Sequence, residues 1–65
     1  MANYRFYILN RLEQITKAQV AECEGEDEIE RAADSLLAEH QASAAVEVWE
    51  RDKVVYRTER PKLVS

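Results

Sequence analysis

The chain has 65 residues, of which 46% are apolar and 34% charged, and its formal net charge is −4. Such a length admits one domain with a thin core, hiding roughly 60% of the surface that the unfolded chain exposes, and the apolar content excludes a disordered tail. No apolar run approaches the roughly 20 residues of a membrane-spanning helix. The single cysteine, Cys23, excludes an intramolecular disulfide, and with no basic-then-apolar leader the expected location is cytoplasmic.

Residues Asn3 to Asn10 alternate with period two, Tyr4, Phe6 and Ile8 against Arg5, Tyr7 and Leu9, which predicts a strand with two sticky faces. The polar segment from Asn10 to Gln14 predicts a turn. A second strand follows over Ile15 to Cys23, with Ala18 and Val20 on one face and Ile15, Lys17, Gln19 and Ala21 on the other.

Gly25 followed by Glu26, Asp27 and Glu28 marks a helix start, because acids oppose the positive end of the helix dipole. Ile29, Ala32, Ala33, Leu36, Leu37 and His40 then recur at helical spacing, the strongest periodicity in the chain. Asp27 and Arg31 stand four apart in the favourable order for a surface pair. Period two returns from Ala44 to Glu50 and from Val54 to Thr58, joined by the hairpin connection Arg51-Asp52-Lys53. Pro61 blocks easy continuation of a strand.

Charge divides unevenly along these elements. Eight acids against Arg31 between Glu22 and Glu39 give that stretch −7, and the other five acids and eight bases give the remainder +3, so the two sides of the domain can carry opposite potentials. Assembled, the pattern predicts an α+β domain of ββαββ order over residues 1–58, with a loose tail over 59–65. One helix covers one face of a four-stranded antiparallel sheet. A right-handed crossover from the second strand to the third gives the spatial order 2-1-3-4, with 1-2-3-4 as the alternative. The covered face is expected to hold Tyr4, Phe6, Ile8, Val20, Val46, Val48 and Tyr56 against Ile29, Ala33, Leu36 and Leu37.

Tyr4-Arg5-Phe6-Tyr7, Ala21-Glu22-Cys23 before the acidic helix start, Leu36-Leu37, and Val46-Glu47-Val48-Trp49 with Arg51 occur together here. In this the chain resembles, over about residues 3 to 57, a group of short uncharacterised bacterial proteins of strand-strand-helix-strand-strand pattern. That resemblance implies the fold and supplies no activity. Members carry an Asp/Gly-containing turn after the first strand, where this chain has Asn10-Arg11-Leu12-Glu13.

No motif pairs a nucleophile with a base, so no catalytic residue and no enzyme activity are expected. His40 reads as a helix-end residue and Cys23 as a small buried one. One Cys and one His do not supply the four ligands of a structural zinc site. The acids from Glu24 to Glu30 lack the spacing of a calcium loop, and no cofactor is implied. The informative residues lie on the sheet face away from the helix: Arg5, Tyr7, Leu9, Lys17, Glu47, Trp49, Val55 and Arg57. Tyr, Trp and Arg are enriched at protein interfaces. A self-associating interaction domain is therefore expected, with a homodimer favoured and a further protein partner open to the acidic helix. Single-stranded nucleic acid on that face is the alternative, weakened by the negative net charge. A planar ligand between Trp49 and Tyr7 at an oligomer interface is another.

Overall fold

Period-two segments become strands only where neighbours complete their hydrogen bonds, and four of them do so here. The computed structural model describes residues 2–60. Strands β1 (Ala2–Leu9) and β2 (Ile15–Cys23) form one hairpin, helix α1 (Glu26–Glu39) follows, and β3 (Ala45–Glu50) and β4 (Lys53–Glu59) form the second. The sheet has the order β2-β1-β3-β4 with every neighbouring pair antiparallel, so α1 carries the chain across β1. No helix among the described residues is long and apolar enough to cross a membrane.

Asn10 builds the first turn. Its side-chain oxygen accepts the backbone N–H of Leu12 (2.9 Å) and of Gln14 (3.0 Å), the local bonding that favours Asn in turns. The second hairpin closes through Arg51-Asp52, with Arg51 at φ 60°, a left-handed conformation unusual for a residue with a Cβ.

The core lies between α1 and one sheet face. Phe6, Ile8, Val46 and Val48 are at most 1% exposed and pack with Ile29, Ala33 and Leu37 of the helix and with Cys23. Tyr4, Ala32, Leu36 and Tyr56 close its margins. The helix sits chiefly over β3 and β4 and leaves β2 almost bare.

That placement corrects the expected position of Val20. The β1–β2 register pairs Val20 with Arg5, so it lies on the open face and is 68% exposed. Lys17 pairs with Ile8 and so lies on the helix side, not the open one. The register shifts beside Ile8 and Leu9, leaving Thr16 as an extra residue, and Ile15 comes round to the open face opposite Leu9. One inserted residue inverts the alternation beyond it.

The helix ends are held by different means. At the start, extended Gly25 offers no side-chain cap, while the Glu28 carboxylate reaches back to accept the Glu24 N–H at 2.8 Å. At the end, where the last turn has no basic residue, the cap arrives from the far end of the chain. The Arg60 guanidinium donates to the carbonyls of Leu37, His40 (3.1 Å) and Ser43 (3.0 Å), and its backbone N–H donates to Ala44. Order therefore extends past the expected boundary at residue 58: Glu59 completes β4, and Arg60 is a structural residue. The rest of the expected tail, 61–65, lies outside the described residues.

Two substitutions test these ends by urea unfolding. Arg60→Ala is expected to lower stability by about 2 kcal/mol, since it removes charge-assisted bonds to the Leu37 and Ser43 carbonyls and a further one to His40, whose carbonyl Ser43 also bonds, and Arg60→Lys should restore only part. Gly25→Ser is expected to raise stability by about 0.5 kcal/mol, because a Cβ there meets nothing within 4 Å. A fall in the urea midpoint of Gly25→Ser would show that the start needs glycine.

Candidate functional site

The open face is built of three rows that run across all four strands. Paired residues of an antiparallel ladder share a face, so the registers give one row as Val20–Arg5–Trp49–Val54, the next as Ala18–Tyr7–Glu47–Arg57 and the third as Ile15–Leu9–Ala45–Glu59. The sheet thus brings Arg5, Tyr7, Glu47, Trp49 and Arg57 together as the sequence predicts.

Leu9 and Val55 behave differently. Leu9 is only 4% exposed and its neighbour Ala45 3%, at the end of the sheet where the turn of residues 10–14 is tied to β4 by the Glu13–Arg57 pair. Val55 is the extra residue where the β3–β4 register shifts between Val48 and Trp49, so Val54 pairs with Trp49 in its place. Val55 instead lines a depression of about 270 Å³ at the edge of the helix side with Tyr4, Glu26, Ile29, Glu30, Glu50 and Tyr56. There burial, with help from Glu50, Cys23 and Glu26, raises the Tyr4 phenol above its ordinary pKa.

Arg57 organises the electrostatics of the open face. Its guanidinium pairs with Glu13 at 2.7 Å, with Glu59 at 2.8 Å and with Glu47. The hydrogen bonds it donates to Glu59 and Glu13, and then to Glu47, raise its pKa against the opposing effect of burial. Glu13 belongs to the β1–β2 turn and Arg57 to β4, so their pair spans β1 and β3 and ties the turn to the far edge of the sheet. Isolated surface ion pairs contribute little, but here one cation fixes three carboxylates and a turn. Glu47 also accepts the Trp49 indole N–H at 3.1 Å, and Trp49 meets Tyr7 edge to face, with ring centroids 6.2 Å apart and planes at 82°. Tyr7, Trp49, Glu47 and Arg57 thus form one connected, preset surface.

This arrangement has consequences for chemistry. Arg57 is neutralised by its carboxylates, which leaves Arg5 as the cation of the central rows, and Glu13, Glu47 and Glu59 outnumber the two arginines. The charge of these groups together is net negative. Rings at 82° leave no parallel-walled slot for a planar ligand. Elsewhere, His40 is the residue after the helix, where its backbone N–H donates to Leu36. Glu24, Glu26, Asp27, Glu28 and Glu30 are exposed. Among the described residues no group of three or more His, Cys, Asp or Glu is placed to hold a metal ion.

Cys23 is 4% exposed, and burial, followed by the Glu28 carboxylate, pushes its thiol pKa up. A raised value favours the neutral thiol in the folded state, so the contribution to stability is complete below the ordinary thiol pKa and is lost as pH rises through the raised one. The reagent-accessible thiolate is therefore suppressed. A thiol-reactive dye at pH 8 is expected to label the native chain at least about tenfold more slowly than the urea-unfolded chain. Equal rates would show that Cys23 is open to solvent.

A comparison with known proteins finds no matching family model, no matching curated protein and no matching solved structure.

Proposed function

We propose that this chain is a non-enzymatic, self-associating interaction domain that works through the open face of its sheet. The observation that carries the reading is the row Val20–Arg5–Trp49–Val54 beside Tyr7. Val20 is 68% and Val54 43% exposed, and the helix lies on the other side. Large amphipathic aromatics with an arginine at the centre and ionic groups at the rim are the composition of a protein interface. The Tyr7–Trp49–Glu47–Arg57 connections hold the side chains in place before any partner arrives, which lowers the entropy lost on binding.

A second copy is the simplest occupant. A chain of this length has a thin core, and association through an apolar face is a common remedy for small domains. The competing reading, single-stranded nucleic acid, needs basic side chains free to neutralise phosphate, and Arg57 is already paired. A free, buried thiol at Cys23 suits a reducing cytoplasm.

Light scattering across a dilution series, with Trp49 fluorescence followed on the same samples, tests the reading. The expected result is a mass above the monomer at high concentration, falling on dilution together with a red shift of the indole emission. Trp49→Glu is expected to abolish the larger species. An unchanged mass in that variant would remove the open face from the interaction.

A further inference from the structure

The row Val20–Arg5–Trp49–Val54 has a symmetry of its own. Read across the strands in their order β2-β1-β3-β4, it runs apolar, arginine, tryptophan, apolar. A two-fold axis parallel to the strands and passing between β1 and β3 exchanges β2 with the β4 position and β1 with the β3 position of a copy stacked face to face. We infer that two copies of this chain stack their open faces about this axis, so that Arg5 of each lies on the indole of the partner's Trp49.

This inference rests on the self-association proposed above and specifies its geometry. Closed two-fold dimers require a surface complementary to itself, and the first two rows meet that requirement. In the first row, Val20 faces the partner's Val54, an apolar contact made twice. Arg5 is exposed and Trp49 half-buried, which suits a guanidinium over the face of an indole whose N–H edge is already committed to Glu47. In the second row, Tyr7 faces the partner's Glu47, a phenol donor against a carboxylate. Ala18, the smallest side chain of that row, faces the partner's Arg57, one of the bulkiest. Charge is complementary as well, because Arg5 enters a face on which carboxylates exceed cations. Sheets stacked in this way lie about 10 Å apart with strand directions within about 30°, close enough for these side chains to interdigitate. The third row is closed by the Arg57–Glu13 pair and its turn, which limits the contact to the first two.

Placement can be read by cross-linking. Val20→Cys and Val54→Cys are made as separate full-length chains, both at exposed positions, and treated with a short bismaleimide alone and after mixing. Under this geometry the mixture gives covalent dimers in several-fold excess over either variant alone. In parallel, Arg5→Ala is expected to weaken dimerisation by at least about tenfold, since two arginine–tryptophan contacts are lost at once. A dimer in which Val20→Cys alone links to itself would place the contact along the β2 edge and overturn this axis, leaving self-association standing. A dimer indifferent to Arg5→Ala would overturn it too. A chain that stays monomeric at its highest soluble concentration would end both the inference and the reading beneath it, and would give the face to a different protein or to nucleic acid.

Discussion

One helix roofing four strands is the constraint on which the rest of this structure depends. A helix of 14 residues is about 21 Å long and about 10 Å wide, whereas the outer strands of a four-stranded sheet stand about 14 Å apart. The helix settles over β3 and β4, where Val46 and Val48 are fully buried. β1 is central and shares that core through Phe6 and Ile8. β2 is left with little to bury, and its composition follows: Lys17, Gln19 and Ala21 face the helix side, and apart from Cys23 the strand adds nothing to the core. The opposite face of the whole sheet receives no cover from the helix, and there the aromatic and ionic residues collect.

Much of this arrangement is visible in the sequence because it is periodic. The helical recurrence from Ile29 to Leu37 fixes α1, and the alternation around Phe6 and Val48 fixes the core strands. The turn at Asn10 and the short connection at Arg51 and Asp52 are legible from polarity and length. What resists reading is any departure from the period. Thr16 and Val55 are single inserted residues, and each inverts the inside–outside pattern on one side of itself. This is why Val55 gives way to Val54 on the open face. Val20 misleads for a different reason: it is the bulkiest apolar residue in the middle of β2, and bulk suggests burial, but the face it occupies is decided by its pairing with Arg5. Arg60 leaves no local signal, since the carbonyls it caps belong to residues far back in the chain.

The open face has arginine and aromatic side chains at its centre and is tied together by charge at one end. Arg57 is the junction. Its carboxylate partners come from β3, from β4 and from the first turn, so one side chain sets the rotamer of Glu47, through it the indole of Trp49, and on the opposite side the position of the Asn10–Gln14 turn. Leu9 and Ala45 are buried at that same end of the sheet, on the side away from the helix.

The cap supplied by Arg60 has a consequence for the order in which the molecule can be made. Leu37, whose carbonyl it takes, precedes it by 23 positions, and at about 5–20 residues per second the helix is synthesised well before its cap. Until Arg60 is in place the carboxyl end of α1 lacks its cationic partner, and until β4 is in place β3 has only one neighbour. The β1–β2 hairpin can form earlier, but it lacks the helix and strands that bury Phe6 and Ile8. The core between α1 and the sheet is therefore complete only when β4 and Arg60 are in place, and a nascent chain stalled before them presents the surfaces of an unfinished protein.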